Sequence, residues 1–347
     1  MALRLVVIGD GAAARLHIEA AQSLSSIQLI GIVGRNEAQA KAIANEYALD
    51  SVWFDVLQIW RDDRVDGVIL AVPPAELASL AVAAFSAGKH VLCEKPLGIG
   101  VAQAESVVSA WQHSGCIGMV NFCYRFHPAL IEFKRRLMMN ICGELTVIKL
   151  DWVLPTRLNQ NLTYHWKGQE ELGGGVLQNF GVHILDFLFA DQLNVKLLSV
   201  NQRIFTLERL NSEGQSRKIT GDEVTTAFFL WNGCVVVIHL SLVTKAGSGL
   251  RINAQGTMGS LEVSEIPQKD HASNWKINFH KEQLGSDSEE IYFTDNTSLS
   301  SMFYESQKMF SNAIRTGNIH LCPTLNYGLR AAHWIQEIQS RALELRQ

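Results

Sequence analysis

Long apolar runs are missing from this 347-residue chain, and none approaches the roughly 18 uninterrupted residues needed to cross a bilayer. An excess of one charge is missing too. The 30 Lys and Arg stand against 34 Asp and Glu, mixed along the chain, and the formal charge of -4 leaves no electrostatic footprint for nucleic acid or an anionic membrane. Neither is expected as a partner. The six cysteines (Cys93, Cys116, Cys123, Cys142, Cys234, Cys322) show no C-x-x-C pair and no clustering with His, so neither a disulfide framework nor a metal site is expected. They read as reduced thiols, in the core or beside the site, of a cytoplasmic protein. The opening MALRLVVIGDG lacks the long apolar region and cleavage site of a signal peptide and reads instead as the first strand of a fold.

What is present is enough apolar sequence, 47% of the residues with 18% charged, for two domains each with its own core. Up to residue 122, short apolar runs (Leu3 to Ile8, Ile27 to Val33, Val65 to Val72, His90 to Cys93, Ile117 to Phe122) alternate with helical periodicity (Arg15 to Leu24, Glu37 to Tyr47, Leu77 to Ala87, Val101 to His113). This predicts an α/β fold with a parallel sheet, a Rossmann-type dinucleotide-binding domain over residues 1–122. From residue 123 to 347 longer strand-like runs dominate: Glu144 to Val153, Lys196 to Phe205, Val224 to Trp231, Cys234 to Ser241, Leu250 to Gln255 and Ile291 to Thr294. Asn232-Gly233 and Thr257 to Gly259 are tight turns between them. An α+β domain with an open, mostly antiparallel sheet is expected, closed by helices over Met302 to Arg315 and Leu325 to Leu345; polar Leu284 to Glu290 is expected to be a mobile loop.

Gly9-Asp10-Gly11-Ala12-Ala13-Ala14 follows a strand and opens a helix, matching G-x-G-x-x-G/A. Gly9 permits the tight turn and Gly11 lets a pyrophosphate approach, while Ala12 and Ala13 open a helix whose free N–H groups face it. The second strand ends Gly34-Arg35-Asn36 without the acid that binds a ribose 2′-hydroxyl. Arg35 suits a 2′-phosphate, so NADP(H) is expected over NAD(H); the alternative is that Arg35 stacks on adenine and accepts either. Roughly 85 residues after the glycine turn comes Glu94-Lys95-Pro96, in which proline restricts Lys95 to extended geometry at a strand-to-loop edge, where it can hydrogen-bond a reacting oxygen. Val72, Pro73, Glu94 and Asn121, at the ends of other strands, complete the expected cofactor contacts.

After Gly173-Gly174-Gly175 a helix is expected, with Asn179, His183 and Asp186 along one face and Phe180, Ile184 and Phe187 toward a core. The segment Asn121 to Pro128 falls at the expected domain junction; Tyr124 and Arg125 would line a polyhydroxylated substrate there, or Arg125 and His127 would only anchor the junction.

These motifs, G-D-G-A-A-A-R-L-H, A-G-K-H-V-L-C-E-K-P-L, Y-R-F-H-P and G-G-G-V-L-Q-N-F-G-V-H-I-L-D, resemble in order and spacing those of the Gfo/Idh/MocA oxidoreductases over essentially the whole chain. The resemblance implies that Lys95 hydrogen-bonds the hydroxyl being oxidised or the carbonyl being reduced, and that His183 serves in acid/base work. Two positions depart from it. Asn179 stands where Asp is common, and an amide accepts no proton at neutral pH, so it would orient substrate; Leu77 stands where relatives often carry His. The function implied is NAD(P)-dependent hydride transfer on a sugar, cyclitol or nucleotide-linked sugar. The alternatives are a non-catalytic nucleotide sensor on the same scaffold, or a dihydrodiol-type dehydrogenase in which Trp152, Trp166 and Phe180 make the pocket apolar. Association into a homodimer or homotetramer through the C-terminal sheet is expected from its apolar exposed face.

Overall fold

The computed structural model describes residues 2–155, 162–267, 273–281, 288–293 and 298–344. Packing divides the chain into two compact units, Met1–Cys123 with Leu299–His333, and Tyr124–Ser298 with Trp334–Gln347.

The first unit alternates strand and helix: β1 (Leu3–Ile8), α1 (Ala12–Gln22), β2 (Ile27–Val33), α2 (Glu37–Glu46), β3 (Ser51–Trp53), α3 (Leu57–Trp60), β4 (Gly67–Leu70), α4 (Pro74–Ser86), β5 (His90–Cys93), α5 (Val101–Ser114) and β6 (Gly118–Val120). Every strand pairs in parallel, in the order β3-β2-β1-β4-β5-β6. This is the doubly wound arrangement, which gathers the loops after the strands at one carboxyl edge. Both faces of the sheet are covered, so its strands are continuous apolar runs, with Leu5, Val7, Ile32, Ile69 and Leu92 fully buried. Two elements were not anticipated, the edge strand β3 and the single-turn α3; three and four residues are too few to display a period.

The second unit begins with α6 (Pro128–Met138), β7 (Leu145–Val153), a π-helical turn over Leu177–Gly181, and α7 (Val182–Phe189). Strands β8 (Val195–Arg203), β9 (Glu208–Leu210), β10 (Ser216–Lys218), β11 (Val224–Trp231), β12 (Cys234–Ser241), β13 (Gly249–Gly256), β14 (Gly259–Pro267), β15 (Ser273–Lys281) and β16 (Ser288–Phe293) follow. Eight of these strands form one open sheet, β16-β15-β14-β13-β7-β12-β11-β8, antiparallel except where β12 meets β7, and β9 pairs with β10 alone. Asn232 and Gly233 both take positive φ, 50° and 88°, the primed turn that their sequence predicts between β11 and β12. Strand alternation buries Ile148, Leu150, Phe229, Val236, Ile238 and Ile252 on one face, where α7 packs through Phe189 on Phe229 at 5.0 Å. Of the stretch expected to be a loop, Ser288–Glu290 belong to β16; residues 284–287, and Thr294 at the expected strand end, lie outside the described residues.

Helix α8 (Leu299–Thr316) and the start of α9 (Leu325–Glu344), as far as His333, pack with the first unit, and α9 from Trp334 on belongs to the second. Phe310 and Ala313 of α8 are fully buried in the Rossmann core beside Ile18 and Ile43. Amphipathic periodicity reveals that a helix has an apolar face, but not which surface will cover it.

Candidate active site

The carboxyl edge of the parallel sheet carries the glycine turn after β1, Arg35 after β2, Val72 and Pro73 after β4, Glu94 and Lys95 after β5, and Asn121 after β6. Gly9 has φ 128°, and a Cβ there would lie 2.2 Å from the carbonyl oxygen of Ala71, so only glycine fits. At Gly11 a Cβ would meet nothing within 4 Å, and this glycine N-caps α1, whose first turn has no acidic residue and no side-chain cap. The turn is therefore open at Gly11 and the start of α1 has no side-chain cap, which fits a pyrophosphate. Arg35 is 75% exposed and pairs with Glu76 on the first turn of α4 at 2.7 Å. Asp10 accepts a hydrogen bond from the Asn36 backbone N–H at 3.0 Å, which puts a carboxylate at the end of β2 that the strand itself does not supply. Leu77 is buried in α4.

Lys95 follows β5 and precedes a cis bond to Pro96. It is half-buried, and its backbone N–H donates to Glu94 Oε2 at 3.2 Å. The other Glu94 oxygen receives Asn121 Nδ2 at 2.7 Å and lies 3.1 Å from His17 Nε2. Burial pushes the Glu94 carboxyl up, but the His17 hydrogen bond, the Lys95 charge and the Asn121 hydrogen bond together hold it below its ordinary value. Asn121, expected against the cofactor, thus uses its amide nitrogen on Glu94. Sequence reasoning passed over His17, Asp10 and Glu76 as site residues. Two of them had a visible signal, Asp10 as the charged residue inside the glycine motif and His17 as the last residue of G-D-G-A-A-A-R-L-H.

In the second unit, Gly175 has φ 99° and would drive a Cβ to 2.0 Å from Asp222 Oδ1. Asp222 accepts from the Leu177 N–H at 3.2 Å and from the Thr225 hydroxyl, and its own carbonyl receives the Val176 N–H at 2.7 Å. These bonds fix the start of the π-helical turn. Burial pushes the Asp222 carboxyl up to about 6, against the opposing Thr225 and Leu177 hydrogen bonds. Asn179 Nδ2 donates to the Gly175 carbonyl at 2.7 Å, and one turn later His183 meets the Tyr124 ring edge-on at 4.9 Å. Tyr124 contacts Trp152 at 5.0 Å, and Trp152 contacts Phe180 at 5.1 Å, so His183 belongs to an aromatic cluster. Trp166 has no part in those ring contacts and pairs with His165 at 5.5 Å.

The expectation of a polar face opposed to a core face needs correction. Every residue of α7 is buried, and Asn179, His183 and Asp186 are as enclosed as Ile184 and Phe187. Asp186 meets Arg125 in a fork, Nε to Oδ2 at 2.6 Å and Nη2 to Oδ1 at 2.7 Å. Burial pushes the Asp186 carboxyl up, and Arg125 pulls it back only in part. His127 is buried against Trp275 at 4.1 Å, and burial lowers its pKa to about 4. It is a neutral packing residue.

A doubly wound sheet with an open glycine turn and a lysine at its carboxyl edge, followed in the chain by a large open antiparallel sheet, defines a two-domain dinucleotide-binding oxidoreductase. Residues 3–122 match the model of an oxidoreductase family with an NAD-binding Rossmann fold, and residues 134–342 match that family's C-terminal alpha/beta domain. The protein belongs to the Gfo/Idh/MocA oxidoreductase family. It is 28% identical over 281 residues to an uncharacterized oxidoreductase of Synechocystis sp., covering 80% of this chain and 76% of that one. It is 25% identical over 270 residues to the trans-1,2-dihydrobenzene-1,2-diol dehydrogenase of Mus musculus, covering 77% and 76%. Levoglucosan dehydrogenase, solved in complex with NADH, superposes with a TM-score of 0.89 at 18% identity over 99% of this chain and 98% of that one, a likeness of fold.

Proposed function

We propose that this protein transfers a hydride between a nicotinamide cofactor and a CH–OH or carbonyl carbon of a small polyhydroxylated substrate, a sugar, cyclitol or nucleotide-linked sugar. The first unit binds the nucleotide and the second supplies the substrate contacts. The observation that carries the reading is the gathering of the open glycine turn, Arg35 and Lys95 on one carboxyl edge of the sheet. The nicotinamide supplies the hydride chemistry. Lys95 holds the reacting oxygen, His183 takes or gives its proton, and Asn179, Tyr124 and Arg125 orient the substrate. Gly9, Gly11, Ala12 and Ala13 receive the pyrophosphate, and Val72, Pro73, Glu94 and Asn121 complete the cofactor's surroundings. NADP(H) is preferred over NAD(H), Arg35 turning from Glu76 to the 2′-phosphate.

The aromatic cluster of Tyr124, Trp152 and Phe180 beside His183 favours a second substrate class, an apolar-faced diol such as a trans-dihydrodiol. The outer face of the large sheet carries Phe228, Leu230 and Val235, each more than a third exposed, next to the Lys149–Asp151 pair. A face with an apolar strip and both signs of charge is self-complementary about a two-fold axis, so its partner is a second copy of this chain.

The test is nicotinamide absorbance with NADP⁺ or NAD⁺ against sugars, inositols, nucleotide sugars and trans-dihydrodiols, with cofactor binding followed in parallel by fluorescence. Turnover with one class is expected. Lys95→Ala should lower kcat by about 100-fold or more, with cofactor affinity within about threefold of wild type. Cofactor binding without turnover on any class would point to a sensor and overturn the enzymatic reading.

A further inference from the structure

Three side chains in the first unit, His17 on α1, Asn121 after β6 and Gln307 on α8, are fully buried, and all lead to Glu94. Gln307 Nε2 donates to the backbone carbonyl of His17 at 2.9 Å and lies 3.1 Å from His17 Nδ1. A carbonyl oxygen only accepts, so the amide end that faces it is the NH2 group and not the oxygen. That same NH2 faces Nδ1, which must then be an acceptor. The ring proton therefore sits on Nε2, 3.1 Å from Glu94 Oε1. Phe303, one turn before Gln307 on the same helix, packs on the imidazole with ring centroids 4.6 Å apart and holds its plane.

We propose that His17 and Gln307 are positioning residues for Lys95: Gln307 fixes the Nε2–H tautomer of His17, His17 donates to Glu94, and Glu94 in turn holds the Lys95 backbone N–H. The inference rests on Lys95 being the residue that binds the reacting oxygen. The reach of a lysine side chain depends on the backbone from which it projects, so fixing that backbone helps to set where the ammonium can go. The Glu94 carboxylate is the anchor of that backbone, and a buried carboxylate keeps its place only while its donors remain.

Two readouts test the proposal without a substrate. Long-range 15N–1H correlation on ring-15N-histidine protein, with His17 assigned by the signals missing from His17→Gln, is expected to show the ring proton on Nε2. In Gln307→Met both tautomers should be populated. Competitive acylation by acetic anhydride, read by mass spectrometry against exposed Lys196, reports the surroundings of Lys95 directly. Its rate at Lys95 should change about fivefold in His17→Leu and Gln307→Met, the effect of one lost hydrogen bond, and return to within about twofold of wild type in His17→Gln, which keeps an N–H donor. A proton on Nδ1 in wild type would overturn the proposal. So would unchanged Lys95 labelling in both donor-removing variants, or failure of His17→Gln to restore it. If His17→Leu does not fold, the wild-type tautomer and Gln307→Met decide. A Lys95→Ala enzyme with full turnover would refute the role of Lys95 in the reaction while leaving both readouts as they are.

Discussion

Replacing Arg125 by methionine separates a buried ion pair from a surface one. The Asp186 side chain is 1% exposed and that of Arg125 is 18% exposed, and two hydrogen bonds near 2.7 Å join them. Methionine keeps much of the arginine stem's volume but leaves a carboxylate inside α7 with its main counter-charge gone. Removing one partner of such a pair costs about 3–5 kcal/mol, against about 0–1 kcal/mol for an exposed pair. Because both charges leave together, Arg125→Met/Asp186→Leu should recover most of that loss. The pH dependence has a definite sign. Burial already raises the Asp186 carboxyl, and loss of Arg125 raises it further, so the mutational loss is full above the folded pKa and shrinks as acid protonates the carboxyl. Urea unfolding of wild type, the single and the double variants between pH 5 and 8 measures all three quantities. A single-variant loss below about 1 kcal/mol, or a double variant no better than the single, would refute the description of this pair as buried and energetically coupled.

Three further outcomes are expected. Arg35→Ser should weaken NADPH binding about 10-fold or more while NADH changes less than about threefold, and Glu76→Gln, which releases Arg35, should tighten NADPH about two- to fivefold; fluorescence titration with both cofactors checks this, and equal effects on the two would remove Arg35 from the 2′-phosphate. Asp222, with its carboxyl raised to about 6 from 3.8 by burial, makes the fold more stable in acid: its contribution is complete below 3.8 and lost as pH rises through 6. A shift of about two units corresponds to about 3 kcal/mol, so the difference in urea stability between wild type and Asp222→Asn should slope by that much from pH 4 to pH 7. Gly9→Ala should destabilise by about 3 kcal/mol or more, through a strained φ and a Cβ against the Ala71 carbonyl, and should abolish cofactor binding by calorimetry.

The parallel half of the fold was legible because its strands are buried on both faces and its helices on one, so the period changes visibly at Gly9, Gly34 and Pro73. Strands β14 and β15 were not read from sequence. Ser260, Glu262, Ser264, Lys276 and Asn278 interrupt their apolar residues at a spacing that also suits a polar loop, and Ser264 and Asn278 are buried. The spacing of Asn179, His183 and Asp186 correctly suggested one helical segment, but a helix enclosed on all sides has no exposed face for a polar stripe to mark. Glu94 and Lys95 stood out because proline follows them. The partners of Glu94 lie 77 residues before it and 27 after it, and the Gln307 contact to His17 spans 290 residues. Nothing in a local pattern announces contacts of that range.

The return of the chain to its first unit has a consequence for synthesis. The Rossmann core includes Phe310, Ala313 and Cys322, the Val120 N–H at the edge strand donates to the Pro323 carbonyl at 2.8 Å, and Met119 bridges Thr324. A nascent chain has made all six strands of that sheet by residue 120, yet it lacks this part of the core and the partner of the β6 edge until some 200 further residues have been added. Through that interval the underside of α1 and the free edge of β6 are exposed, which makes the half-made protein a client for chaperones and a fragment cut at residue 122 prone to associate through the surface that α8 would have covered.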